Sequence, residues 1–217
     1  LFMAHFAITT PDDHFSFQRY AQGGDSQDAR AGVVAAPFSA WMDDWELKSS
    51  GESWLPLRVR AKQDEFEFSL QLSGDMPPVL QGDDGYSQKH ADGGGSHYYS
   101  QPFLKAMGQL RVDGLVIPVT GNAWLDREWG SQFLKPQQMG WDWFSLHLDN
   151  GEKLMLFQLR EKSASGEPGN YTYGKLMSPD GSHTRLDPGD ILLRVEQGTM
   201  LEKRKLPLQW SLEDRKS

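Results

Sequence analysis

In the stretch DEFEFSLQLS (64–73), apolar and polar side chains alternate with period two. Phe66, Phe68, Leu70 and Leu72 fall on one side, with Glu65, Glu67, Ser69 and Gln71 on the other. Successive strand residues point to opposite faces, so this stretch can bury one clean face only as a β-strand. FMAHFAIT (2–9) and HFSFQRY (14–20) repeat the pattern less cleanly. Apolar residues at the i, i+3, i+4, i+7 spacing of an amphipathic helix do not recur, and the only helix expected is a short one near residues 26–34.

Turn chemistry then orders the strands. Asp149-Asn150-Gly151 separates WDWFSLHL from KLMLFQLRE, and Asp113-Gly114 separates FLKAMGQLRV from LVIPVTGNAW. Asn-Gly and Asp-Gly adopt the positive φ that two-residue hairpin turns require. Pro179-Asp180-Gly181 marks a further turn between YTYGKLM and ILLRV, and KSASGEPGN (162–170) reads as a loop. An antiparallel all-β meander of this kind closes as a sandwich or a barrel.

The polar, proline-bearing segment LKPQQM (134–139) is the expected linker between an N-terminal domain (1–133) and a second domain (140–217). The 78 residues after the linker hold about five strands, against about eight in a small ligand-holding barrel. The chain opens in mid-strand without an initiator Met and ends on the strand-like LPLQWSLEDRKS with no later segment to pair it. Both domains are therefore expected to be truncated.

A net charge of −8 with no basic run argues against nucleic acid and anionic membrane surfaces as partners. No apolar run approaches the roughly 18 residues of a membrane helix, so no transmembrane segment is expected. Cysteine is absent, which removes disulfides, thiolate metal sites and a cysteine nucleophile. The six histidines include no His-x-x-x-His pair, and His147 with Asp149 supplies only two ligands, so no metal is expected. There is no Gly-x-Ser-x-Gly elbow, and Gly93-Gly94-Gly95 lacks the Lys-Ser/Thr of a phosphate-cradling loop.

The segment GNAWLDREWG (121–130) is where chemistry concentrates. As a strand it puts Trp124, Asp126 and Glu128 on one face, and Leu125, Arg127 and Trp129 on the other. In an apolar pocket a carboxylic acid resists ionisation, and a second carboxylate nearby reinforces this. A protonated Asp126 beside Glu128 can serve as general acid, and the Trp124 ring can stabilise a developing cation. Acid-driven addition of water to an alkene needs this combination. A structural ion-pair network among Asp126, Arg127 and Glu128 accounts for the same residues.

Two further constellations fit a pocket wall. SHYYSQP (96–102) sends His97, Tyr99 and Gln101 to one face and Tyr98 with Ser100 to the other. GWDWFSLHLD (140–149) puts Trp141, Trp143, Ser145 and His147 on one face. Either wall can bind a ligand; a buried Tyr explains the first equally, and aromatics such as those of the second are more often simply core.

Taken in order, SQPFLKAMGQLRVDG, VTGNAWLDREWGSQ and GWDWFSLHLDNGEKLMLFQLR resemble the carotenoid 1,2-hydratase/AttH family of lipocalin-like proteins. MAHFAIT, APFSAWMDDWEL and PPVLQGDDGYSQK also fit, so the resemblance covers nearly the whole chain. It implies two lipocalin-like β-barrel domains of the calycin type and an apolar ligand, a lipid or isoprenoid. It implies Asp126 as the acidic residue, with Glu128 and Tyr99 in the catalytic set. Trp124, His97, Gln101, Trp141, Trp143, His147 and His5 form the expected binding set. The favoured reaction is acid-assisted hydration of an unsaturated substrate without a cofactor. A non-catalytic lipid carrier and a lipid-ester hydrolase are the alternatives. The family also implies the bacterial envelope as location.

Overall fold

A computed structural model describes residues 1–24, 29–90, 93–131, 135–161 and 171–215. Every regular element among them is a strand. The first seven are β1 (Phe2–Thr9), β2 (His14–Ala21), β3 (Ala31–Val34), β4 (Ser39–Met42), β5 (Trp45–Ser49), β6 (Leu57–Gln63) and β7 (Phe66–Ser73). Then come the short β8 (Val79–Leu80) and β9 (Tyr86–Gln88) and the long β10 (Gly95–Val112) and β11 (Leu115–Trp129). The rest are β12 (Gln138–His147), β13 (Lys153–Glu161), β14 (Tyr171–Met177), β15 (His183–Leu186), β16 (Ile191–Leu201) and β17 (Arg204–Asp214). No helix among the described residues is long and apolar enough to cross a membrane.

The all-β expectation holds. Of the short helix expected near 26–34, residues 31–34 form strand β3 and 25–28 lie outside the described residues. Ala31-Gly32-Val33-Val34, which ends on two β-branched valines, pairs with β4 instead. The loop at 162–170 also lies outside the described residues.

Among the described residues the strands form four sheets: β1-β2, a nine-stranded sheet, β12-β13-β14-β15, and β16-β17. The main path of the nine-stranded sheet runs β11-β10-β7-β6-β5-β4-β3, with β8 and β9 also on β10. Its end strands β11 and β3 do not pair with each other, so the sheet is open rather than closed into a barrel. The C-terminal segment LPLQWSLEDRKS, expected to lack a partner, pairs through β17 with β16. ILLRV is therefore a β17 partner, and YTYGKLM turns at Gly181 into β15.

Two compact units result: Leu1–Met76 with Phe103–Trp124, and Pro77–Pro102 with Leu125–Ser217. The division is not one cut in sequence, because β10 and β11 pass from one unit to the other. Of the segment 134–139, Gln138 and Met139 open β12, and Leu134 lies outside the described residues.

In the first unit the alternation of β1, β2 and β7 converges on Phe6. Its ring meets Phe17 at 4.8 Å, Trp45 at 5.2 Å and Phe68 at 5.4 Å. Burying each such ring contributes about 1.5–3 kcal/mol. The one polar atom of the Trp45 ring is satisfied, since its Nε1 donates to the Lys62 carbonyl at 2.7 Å. Asp113 (φ 49°) and Gly114 (φ 79°) both take the left-handed backbone of the turn read from sequence.

In the second unit β13 is the central element, buried on both faces. Met155 and Phe157 point one way and Leu156 the other, all fully or almost fully buried. Trp141 stands opposite Leu159 and Trp143 opposite Phe157 across β12 and β13. At Gly95 a Cβ would lie 2.3 Å from the Ser87 carbonyl, so only glycine lets β9 come this close to β10.

Candidate functional site

On β10 the residues Ser96, Tyr98 and Ser100 share a face, and on β11 Asp126 and Glu128 do. The two faces meet. Ser100 Oγ donates to Asp126 Oδ1 at 2.5 Å, and Ser96 Oγ donates to Glu128. Gln81, fully buried just past β8, donates from Nε2 to Ser100 Oγ at 3.0 Å. From the other side Trp143 Nε1 donates to the Tyr98 hydroxyl at 3.3 Å, and Tyr98 in turn hydrogen-bonds Asp126.

The indole N–H can only donate. Tyr98 must therefore accept from Trp143 and give its own proton to Asp126. Donors run Trp143 to Tyr98 to Asp126 on one side and Gln81 to Ser100 to Asp126 on the other. Burial, and then the Asp126 charge, raise the Tyr98 phenol well above its ordinary pKa, so it stays neutral.

Tyr98 also forms part of a pocket of about 360 Å³. Its apolar wall is Tyr98, Trp141, Trp143, Phe157 and Leu159; Lys89, His90, Lys135, Gln138 and Glu128 make its polar side. The Lys89 ammonium lies 2.8 Å from Glu128 and 4.2 Å above the centre of the Phe157 ring. Burial lowers the Lys89 pKa, against the raising effect of Glu128. Trp141 and Trp143 remain 58% and 43% exposed, so this apolar wall is open to a ligand.

Among the sequence candidates, Asp126, Glu128, Trp141 and Trp143 come together around Tyr98. Asp126 stands behind Tyr98, while Glu128 lines the pocket. Tyr99, His97 and Gln101 lie on the other face of β10, as alternation requires. There His97 stacks on Trp129 at 5.5 Å and Tyr99 meets the same ring edge-on at 6.1 Å. His147 is exposed at the end of β12, opposite Lys153. Trp124 and His5 belong to the first unit, where His5 is exposed opposite Gln18.

Sequence reasoning missed Tyr98 as the partner of Asp126, and with it Gln81, Ser100, Lys89 and Phe157. The alternation had already put Tyr98 and Ser100 together, and the cross-strand match to Asp126 was the missing step. Among the described residues no group of three or more His, Asp or Glu is placed to hold a metal ion.

The AttH-like family model matches residues 1–217, which bears out the AttH resemblance. A provisionally assigned AttH of Nitrosomonas europaea has a similar crystal structure, with TM-score 0.86 and 29% identity, covering 99% of this chain and 66% of that one. Kievitone hydratase of Nectria haematococca is similar in fold, with TM-score 0.71 and 16% identity over 95% of this chain and 61% of that one. This chain thus spans less than two thirds of the length of either protein. No curated protein matches it in sequence.

Proposed function

This chain belongs to the AttH-like family, and on that premise we propose that it adds water across a carbon–carbon double bond of an apolar small molecule bound beside Tyr98. The supporting observation is the chain of donors that converges on Asp126 behind an aromatic pocket wall. That the similar Nectria protein is a hydratase supports hydration ahead of other acid chemistry.

In this reading the Asp126 carboxylate first takes up a proton from solvent, and the protonated acid is the state that reacts. It passes its proton to the Tyr98 oxygen while the phenol gives its own proton to one alkene carbon. The π electrons form the new C–H bond, leaving a cation on the neighbouring carbon and a carboxylate on Asp126. Tyr98 and Ser100 are already aimed at that carboxylate and stabilise it without reorganisation. The faces of Trp141, Trp143 and Phe157 stabilise the cation. Water then bonds to the cationic carbon, and its surplus proton leaves through Glu128 to solvent, from which Asp126 is reprotonated.

The proposal extends the family's expected features to this chain: an unsaturated lipid or isoprenoid as substrate, and the bacterial envelope as location. Cell fractionation tests the location, and recovery with cytosolic markers would reject it. A non-catalytic carrier is the second reading, supported by the exposed Trp141 and Trp143 wall, which alone suffices to hold a ligand.

To test the reaction, full-length protein is incubated with an isoprenoid and lipid extract in oxygen-18 water and the products are analysed by mass spectrometry. Label in a hydrated alkene, lost in Asp126→Asn, supports the hydratase. Label only in released carboxylic acids means a hydrolase. Retention of an unlabelled lipid means a carrier.

A further inference from the structure

We propose that Gln81 is a positioning residue for Asp126. The direction in which its side-chain amide is locked makes Ser100 a donor to Asp126 Oδ1, which leaves Oδ2 to take up the acid proton. The inference deepens the reading above and rests on it for the role of Asp126, not for the substrate.

Ser100 has one hydroxyl proton and several places to put it. Its Oγ reaches Asp126 Oδ1, the Tyr98 hydroxyl and the Gln81 amide. If the amide presented its oxygen, Ser100 would donate to Gln81 and could only accept from Asp126. With Nε2 presented, at 3.0 Å, the hydroxyl proton is turned away from Gln81. The carboxylate is then the strongest acceptor within its reach. Which end of one amide faces Ser100 therefore sets the direction of the whole arm.

That direction is imposed from β14. Its residues Tyr173, Lys175 and Met177 share a face and are all almost fully buried. They hold three consecutive residues of the turn after β8. Lys175 Nζ donates to the Leu80 carbonyl, and the Gly82 N–H donates to the Tyr173 hydroxyl at 2.7 Å. Between them Gln81 Nε2 donates to Met177 Sδ at 3.8 Å. The Gln81 backbone N–H donates to the Tyr98 carbonyl at 3.0 Å. The backbone around Gln81 is thus pinned, and only its amide could turn over.

Met177 opposes that turn, because a thioether sulfur only accepts. As placed, Nε2 offers its two hydrogens to Ser100 Oγ and Met177 Sδ, while Oε1 is buried with no hydrogen-bond partner among the described residues. Reversed, Oε1 would sit against the sulfur, and two N–H groups instead of one oxygen would lack a partner. Folded proteins keep few buried acceptors unmet. Here the unmet oxygen is the lesser loss, and it comes with keeping Ser100 aimed at Asp126.

The test is an infrared pH titration of the full-length protein, in which subtracting the Asp126→Asn spectrum isolates the Asp126 carboxyl band. Hydrogen bonds to an ionised group favour that form, so loss of the Gln81 donor raises the pH at which Asp126 takes up its proton. Gln81→Met keeps the side-chain length and removes the donor. It is expected to raise the midpoint by about one pH unit, or about tenfold in proton affinity. Turnover should fall about fivefold with KM unchanged, the scale of one neutral hydrogen bond. Met177→Leu conserves volume and frees the amide to turn, and should move the midpoint the same way by less. Tyr98 and Glu128, the titratable neighbours on this side, and Lys89, which holds Glu128, are retained in both variants. A midpoint that stays or falls in either variant overturns the proposal, as does a loss confined to KM. If Gln81→Met fails to fold, the Met177→Leu midpoint decides. Raised midpoints without oxygen-18 incorporation reject the hydratase reading alone, whereas incorporation with unchanged midpoints rejects the role of Gln81 alone.

Discussion

The two faces of β10 between Gly95 and Gln101 carry similar residue types and differ in what they meet. One face presents Ser96, Tyr98 and Ser100 to the acids of β11 and to the Trp143 indole. The other presents His97 and Tyr99 to Trp129, an aromatic cluster in which the Trp129 ring is half exposed. Tyr98 is buried at 3% exposure, and its neighbour one residue on is not. A one-residue step along a strand exchanges one set of neighbours for the other. Chemical type alone therefore says little about which tyrosine handles protons; the face decides.

The largest expected effect is at Asp126. Asp126→Asn should reduce hydration at least 10²-fold, the scale of losing a positioned acid, while the melting temperature moves little. Full activity in the oxygen-18 assay would end the acid assignment, and a collapse of the melting temperature would instead favour the structural network. Next comes the tyrosine pair. Tyr98→Phe should lower turnover about 10²-fold, since it cuts the relay to the carbon, whereas Tyr99→Phe should stay within about twofold. The reverse ranking would move the site to the other face of β10.

Smaller effects follow from the second arm of donors. Ser100→Ala removes a hydrogen bond to Asp126 and should cost about tenfold in turnover, with KM for the substrate unchanged. A change confined to KM would mean that Ser100 shapes the pocket instead. The smallest effect is on alkaline stability. Burial pushes the Tyr173 phenol up to about 12 and raises Tyr98 too. An unfolded tyrosine titrates near 10, so above that pH the folded state holds protons that the unfolded state has released. Stability from Tyr173 is complete below about pH 10 and is lost as pH rises toward 12. Urea unfolding of Tyr173→Phe should show a shallower decline over that window, and an unchanged slope would disprove the assignment.

Much of the strand content was legible, because alternation and Asn-Gly or Asp-Gly turns act over a few residues. DEFEFSLQLS became β7, the turn at Asp113-Gly114 took the expected backbone, and β12 with β13 paired around Gly151. The failures have one origin. The helix near 26–34 and the unpaired C-terminal strand were judged from local sequence, and β4 and β16 supplied the partners. The open sheets, likewise, follow from which edges pair.

The same division runs through the candidate site. Sequence by itself determined that Asp126 and Glu128 share a strand face, that Tyr98 goes with Ser100 and Tyr99 with His97, and that Trp141 and Trp143 stand together. It did so because side-chain direction along a strand depends only on the pleat. Tertiary structure decided which of these faces meet. Ser100 reaches Asp126 from 26 residues away, and Gln81 reaches Ser100 from 19. Lys89 arrives over Phe157 from the segment just past β9. Such meetings are set by the register of long-range hydrogen-bond ladders, and register is a property of two strands together that neither sequence segment carries alone.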